Sequence, residues 1–376
     1  METKQVRKQF VKKTTGPIHE RQPKIVGLGG AMVDTKVNLT EDQLKQLGVT
    51  TKGGSMLVNN AKELNAMLEK IVEFVGEDEL LRVPGGSGCN VLKSLSALGA
   101  NAGYISKVGN DKMGTMMREA LLSRQTQPYL GVSENYCTGE VLCLVTPDGE
   151  RTMRGFLGAT LDLNEKDIPD LSDCHHMHVE GYNVYDKPLT EAAFKAAKKA
   201  GLSISFDLGS FELVKNNRDY LIEVISKYVD ICFANEEEST MLFEVDCPRE
   251  ALNKLSELCS VAVVTLGKEG CIVKQHDDSF HYPAVNRIIK PVDTTGAGDL
   301  FCAGFLYGFL HGHSLETAAK LGSMAGFHVI QSLTTELSDE VWRDIKSIIQ
   351  DRRKSDEYFS VVNQADPQQP VLMSSE

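Results

Sequence analysis

Two aspartates, Asp293 and Asp299, bracket the glycine-rich turn DTTGAGD, which opens directly onto the apolar run LFCAGFLYGFL. The run reads as a buried helix. Free N–H groups and the dipole at a helix N-terminus attract anions, and glycines let an anion come close. Gly296, Ala297 and Gly298 can present consecutive N–H groups to a phosphate, forming an anion hole. Asp299, in the first helical turn, would repel a resting phosphate. That makes sense if its carboxylate must take a proton from an attacking hydroxyl. Phosphoryl transfer has this demand: the protein positions groups and neutralises charge, and one carboxylate orients the nucleophile. A helix cap on a tight turn explains Gly-Asp alone, but not the whole string with its helix.

Four further stretches could join it. VPGGSGCNVLKSLSALG sets Gly85 and Gly86, which permit close backbone approach, before Asn90 at the start of a helix. An ordinary glycine turn explains that stretch equally well. In IVGLGGAMVD a strand ends at glycines and Asp34 follows. A dinucleotide fingerprint needs glycine where Met32 stands, and no Walker A string occurs, so the Rossmann and P-loop readings fail. VVTLGKEGC is strand–turn–strand with Thr265, Gly267 and Gly270, by itself a hairpin turn. CFANEEEST puts Asn235 and Glu238 at a strand's C-terminal end, where ligands collect in parallel sheets and the pair could hold hydrated magnesium. A solvated acidic helix start is the plainer alternative. CHHMH looks like a metal cluster, with Cys174, His176 and His178 on one strand face. No second ligand pair follows at finger-like spacing, so the metal reading is set aside.

These residues need a scaffold, and the apolar pattern supplies one. KIVGLG reads as a buried strand. The following NAKELNAMLEKIVEFVG places Leu64, Met67, Leu68, Ile71, Val72 and Val75 on one helical face. VLKSLSALGA is a helix ended by Gly99, and AGYISKVG a strand. ENYCTGEVLCLVT and RTMRGFL flank PDGE as a hairpin. From His176 strands and helices alternate: HMHVE, TEAAFKAAKKAG, SISFD, DYLIEVISKY, DICFA, EEESTMLF, a helix over 248–259, VAVVTL and CIVKQ. Such alternation implies βαβ units and a parallel sheet. One large α/β domain is expected over 23–350, with a small β-rich lid from about 34–60 and 136–158. The termini, 1–22 and 351–376, are polar and unpatterned and are expected to be mobile extensions.

A net charge of −12 argues against nucleic-acid or anionic-membrane partners, and no apolar run is long enough for a membrane-spanning helix. The basic start METKQVRKQFVKK lacks the apolar core of a secretory signal. Nine cysteines without a CxxC pair suit reduced thiols. A cytoplasmic protein is expected, with a short organellar presequence as the alternative.

In this order the motifs resemble the ribokinase-like (PfkB) carbohydrate kinase family. GGSGCN with downstream GNDKMG is similar to its N-terminal signature, and DTTGAGDLFCAGF to its C-terminal one. NEEE and TLGKEG match its magnesium and nucleotide motifs, and the likeness covers about residues 24 to 345. The resemblance implies a ribokinase-like three-layer α/β/α sandwich with a mostly parallel central sheet and a small β-rich lid. It implies an ATP-dependent kinase acting on a primary hydroxyl, with Asp299 as base and Gly296, Ala297 and Gly298 stabilising the transferring phosphoryl group. Asp34, Gly85, Gly86 and Asn90 would bind the acceptor, with Arg151 in the lid hairpin contacting substrate or phosphate and Arg154 a weaker choice. Thr265, Gly267 and Gly270 would border ATP, and Asn235 with Glu238 would organise Mg2+ through water. Asp293 would brace the turn near a monovalent cation, which leaves activation by K+ open. The long stretch between Asp34 and Gly85 resembles the adenosine-kinase-like branch, which contains nucleoside and sugar kinases. In EGYNVYD, Tyr182 is followed by Asn183 where that branch implies a second aromatic. The acceptor is thus a nucleoside or a sugar such as a ketohexose or ribose, and the protein a monomer or homodimer. A silent regulatory homologue is a further alternative, although the base and the anion-hole glycines are present.

Overall fold

The computed structural model describes residues 22–49, 53–148, 150–285 and 290–350, so the two expected terminal extensions fall outside it apart from Gln22. The chain starts with β1 (Lys24–Leu28) and β2 (Met32–Asn38), then α1 (Glu41–Gln46), β3 (Ser55–Leu57) and α2 (Ala61–Val75). β4 (Leu81–Gly85), α3 (Ser87–Ala97), β5 (Asn101–Gly109), α4 (Lys112–Ser123) and β6 (Gln127–Ser133) follow. Next come β7 (Gly139–Val145), β8 (Arg151–Phe156), β9 (His176–Glu180), α5 (Lys187–Lys199), β10 (Ser203–Asp207), α6 (Phe211–Tyr228) and β11 (Ile231–Asn235). α7 (Glu236–Phe243), α8 (Pro248–Leu258), β12 (Val261–Thr265), β13 (Cys271–Gln275) and β14 (Asp278–Tyr282) lead to α9 (Ala297–Leu310), α10 (Leu315–Val329) and α11 (Asp339–Gln350).

Nine strands form one sheet in the order β14-β13-β12-β11-β10-β9-β1-β5-β6. Neighbours from β12 to β6 run parallel, and β13 and β14 add an antiparallel edge. Buried on both faces, the inner strands β1, β11 and β12 are mainly apolar, while β9 and β10 also bury His176, His178, Ser203 and Ser205. One face packs on α3, α4 and α9 to α11, with Leu92, Leu95, Phe305, Leu321 and Trp342 in its core. The other packs on α5 to α8 around Phe194, Phe206, Leu221 and Leu255. The fold is therefore the expected three-layer sandwich.

A second sheet of five strands, order β3-β8-β7-β2-β4, stands apart with its own small core. Its outer face, through Val37, Leu142, Leu144 and Phe156, is covered by α1 and α2, and Leu64 and Ile71 of α2 are buried there. Sequence reading missed β4, because LRVPG carries the Pro and Gly of a turn. Edge strands tolerate both, and β4 lies at an edge.

α9 is buried along nearly its whole length. It lies so close to α10 that a Cβ on Gly304 would stand 2.6 Å from the Leu321 carbonyl oxygen. Gly304→Ala is expected to lower the unfolding free energy by about 1–3 kcal/mol through overpacking, measurable by urea denaturation. An unchanged midpoint would show that the two helices can separate freely.

Candidate active site

Asp299 sits in the first turn of α9 and is half-buried. Ser87 Oγ donates to one oxygen at 2.7 Å, and Asn90 Nδ2 to the other at 2.9 Å. Burial pushes the carboxyl upward, while the bonds from Asn90 and Ser87 pull it back toward the ionised form. Thr335 in turn donates to Asn90 Oδ1 at 3.1 Å, which fixes the amide so that its NH2 faces Asp299. Asn90, expected to hold the acceptor, therefore also holds the carboxylate expected to be the base.

Antiparallel pairing of β2 with β4 sets Asp34 opposite Val83 and Met32 opposite Gly85. Asp34 thereby reaches the same cavity as Asn90 and Asp299. A Cβ at Gly85 would stand 2.8 Å from the Asp34 carboxylate, and one at Gly86, where φ is +95°, would collide with the Gly30 carbonyl. Burial raises the Asp34 carboxyl to about 6, and it accepts no hydrogen bond from the described residues.

The turn before α9 is held from outside. Gly296 takes the left-handed conformation at φ +77°, and a Cβ on Gly298 would meet open space, room that a ligand can use. The Ala297 N–H is turned back onto the Thr294 carbonyl at 3.2 Å. Among the described residues no backbone acceptor takes the N–H groups of Gly296 and Gly298, so two of the three expected amides face outward. Asp293 accepts from the Thr295 N–H at 2.7 Å, from Lys36 Nζ at 2.9 Å and from Arg151. Arg151 also donates to Thr294 at 2.8 Å and to Thr295. Arg151 thus stands at the anion turn itself. Arg154 does not: strand alternation sends it to the opposite face of β8, where it is buried and donates to the Met153 carbonyl.

The C-terminal ends of β9, β10 and β11 bring three further acids to the cavity: Glu180, Asp207 and Glu238. Glu180 accepts from the Gly30 and Gly88 N–H groups at 2.8 and 2.6 Å, and burial raises it to about 7. Asn235 and Glu238 form a reciprocal cap at the start of α7, with Glu238 buried and Asn235 exposed. Burial raises both Glu238 and Asp207; the Asp207 charge raises Glu238 further, and the Asp299 charge raises Asp207. Glu180 and Asp207 were missed by sequence reading, although both end strands on the sheet edge that singled out Asn235. Ser87 lay inside a quoted motif, and Thr335 and Lys36 had no local signal.

Asp34, Asn90, Asp299, Asn235 and Glu238 line one cavity of about 610 Å3. A second, of about 300 Å3, is bordered by Thr265, Gly267, Gly270, Ala297 and Phe327. Thr265, Gly298 and Phe301 border both, so two ligands could meet at the mouth of α9. Gly270 also has a structural reason to be glycine: at φ +93° it packs against the Tyr282 carbonyl.

A model of the pfkB family carbohydrate kinases matches residues 62–342. This chain belongs to that family. It is 31% identical over 273 residues to a fructokinase of Klebsiella pneumoniae, covering 69% of this chain and 88% of that one. It is 26% identical over 241 residues to aminoimidazole riboside kinase of Salmonella typhimurium, covering 61% and 75%. The adenosine kinase structure from Sinorhizobium meliloti superposes with a TM-score of 0.77 at 28% identity, over 88% of this chain and 99% of that one. The pfkB protein is accordingly a sugar or nucleoside kinase, a phosphotransferase with an alcohol acceptor, and its family implies use of ATP.

Two remaining motifs resolve structurally. His176 bonds Ser203 and Ser205 at 2.6 and 2.8 Å, and His178 bonds Ser205 at 2.9 Å. Burial drives both well below the usual histidine range, so they are neutral core residues. No group of three or more His, Cys, Asp or Glu able to hold a metal occurs among the described residues. Asn183 is buried and donates to the Leu28 carbonyl at 2.9 Å, while Tyr185, two residues on, supplies the second aromatic to the cavity.

Two outcomes follow from the carboxylates. Thr335→Val should free the Asn90 amide and raise the Asp299 carboxyl, read by isotope-edited infrared titration, with Thr335→Ser restoring it. Asp34, Glu180, Asp207 and Glu238 all have folded pKa values above their unfolded ones. Their contribution to stability is complete below about pH 4 and is lost as pH rises through their folded values. The melting temperature should therefore fall between about pH 5 and pH 8.5, with a shallower slope in Asp207→Asn.

Proposed function

We propose that the protein is an ATP-dependent kinase that transfers the γ-phosphoryl group to a primary hydroxyl of a nucleoside or sugar, with Asp299 as catalytic base. One observation carries the reading. Asp299 lines the larger cavity beside Asn90 and directly follows Gly298, which borders both cavities. An acceptor hydroxyl in the larger cavity would give its proton to Asp299. Asp34, Gly86 and Asn90 would hold its other hydroxyls, with Gly85 leaving room for Asp34. Gly296 and Gly298 would take the charge of the transferring group, joined by Arg151 once it leaves Asp293, and by Ala297 if its N–H turns outward. Thr265, Gly267 and Gly270 would border the nucleotide. The base and both glycines are in place, which supports activity over a silent regulatory role.

Magnesium fits the residues present. Asp207 and Glu238 repel each other in a buried edge, and no lysine, arginine or histidine among the described residues lines the cavity to offset them. Mg2+ is characteristically held by one or two carboxylates together with waters and phosphates, so Asp207, Glu238 and the Asn235 amide suit it. When bound it would neutralise charge on the phosphates. Asp293 already has two cationic partners, so exchange of potassium for another monovalent ion at constant ionic strength is expected to leave turnover unchanged. The covered outer face of the small sheet favours a monomer. The absence of a helix able to cross a membrane among the described residues is compatible with the expected cytoplasmic location.

A coupled ATP-consumption screen over nucleosides, ribose, fructose and keto-deoxy sugars tests the activity. With the best acceptor, Asp299→Asn is expected to lower kcat by about 10²- to 10⁴-fold while ATP affinity persists. Near-normal turnover in that variant would remove Asp299 from the role.

A further inference from the structure

We infer that the acceptor is an uncharged molecule carrying a flat, largely apolar ring away from its reacting hydroxyl, and that sugar phosphates and sugar acids are excluded. The inference rests on the kinase reading above. Its first support is charge. Asp34, Glu180, Asp186, Asp207, Glu238 and Asp299 line the larger cavity, with no lysine, arginine or histidine among the described residues.

The nearby cations are committed elsewhere. Lys36 and Arg151 share Asp293 beside the anion turn, the side from which the phosphoryl group would arrive. Lys93 is buried and spent on the Pro84 carbonyl and Glu336 at 2.9 and 2.8 Å, and Arg154 faces the other side of its strand. A second phosphate or a carboxylate on the acceptor would lose its hydration against like charges with no counterion. Carboxylates can only accept when ionised, so the cavity suits a molecule rich in hydroxyl or amine donors.

The second support is the wall. Leu57, Val141 and Met153 come from the small sheet, and Leu161, Tyr182 and Tyr185 from the segments flanking β9. Leu57, Leu161 and Tyr185 are 46%, 49% and 50% exposed, unusual for large apolar side chains gathered around one cavity. Such a lining with a few convergent polar groups marks a ligand site. A free sugar, hydroxylated on all sides, leaves it uncovered. A nucleoside puts its base there and its primary hydroxyl at Asp299.

Matched acceptors test this: fructose against fructose 6-phosphate, ribose against ribose 1-phosphate, and both sugars against neutral nucleosides. All retain a primary hydroxyl. ATP consumption and, without ATP, the thermal shift of the native protein are both read. The expected order is nucleosides above ribose and fructose, with the two phosphates lowest in both measurements. Tyr185→Ala should raise the nucleoside KM relative to that of ribose by about tenfold, within the range expected on loss of a base-stacking ring. A phosphate ester that outperforms its neutral partner overturns the inference and leaves the kinase reading standing. So does ribose matching every nucleoside in both measurements. If no acceptor supports ATP consumption, the kinase reading falls, and the thermal shifts alone still rank neutral against anionic ligands.

Discussion

A carboxylate that is to accept a proton must be kept from water and still kept charged, and the surroundings of Asp299 act in both directions. Burial favours the neutral acid; Ser87 and Asn90 favour the ion, and the start of a helix adds a favourable dipole. The two donors ride on α3, whose entry is set by the Gly85–Gly86 turn and by the pairing of β4 with β2. Thr335, after α10, fixes the Asn90 amide, and a Cβ on Gly296 would stand 2.7 Å from the Thr335 methyl. One carboxyl side chain therefore constrains the placement of two helices, the small sheet and the turn.

The sheet explains why polar chemistry gathers where it does. Parallel strands covered on both faces keep interior polar side chains only when these pair with one another, as His176 does with Ser203 and Ser205, and groups meant for a ligand wait until the strand stops. In β9, β10, β11 and β12 the chemistry is deferred to the last residue: Glu180, Asp207, Asn235 and Thr265. Because these strands run the same way, their ends share one edge. The small sheet works by alternation instead. Asp34, Lys36, Arg151 and Met153 face the cavity side, and Thr35, Leu142 and Arg154 face the other.

That arrangement leaves an excess of negative charge at the centre of the site. Asp207 and Glu238 hold protons more tightly than ordinary carboxyls mainly through burial, to which the Asp299 charge adds at Asp207 and the Asp207 charge at Glu238. A divalent cation brought in with nucleotide phosphates would relieve that repulsion, so the site is electrostatically set to receive one. Asp293 shows the opposite balance. Lys36 and Arg151, on separate strands of the small sheet, both converge on it and join that sheet to the turn before α9.

Local pattern fixed what depends on neighbours along the chain. The strand–helix alternation gave the layered fold, the apolar run after DTTGAGD gave α9, and the glycines gave the turn, because periodicity and backbone freedom are short-range properties. Asn235, Glu238 and Asp299 were also legible, since each stands at or near an element's end, whereas Asp34, inside β2, was singled out by the glycines before it. The edge strand β4 was not, because its Pro and Gly read as a turn. What the sequence could not decide are contacts between distant residues. Asn90 holds Asp299 across 209 positions, Thr335 holds Asn90 across 245, and Lys36 reaches Asp293 across 257. No period or spacing encodes such pairs. They exist because the two sheets and α9 converge on one edge, and only the tertiary structure decides which donors meet the carboxylates there.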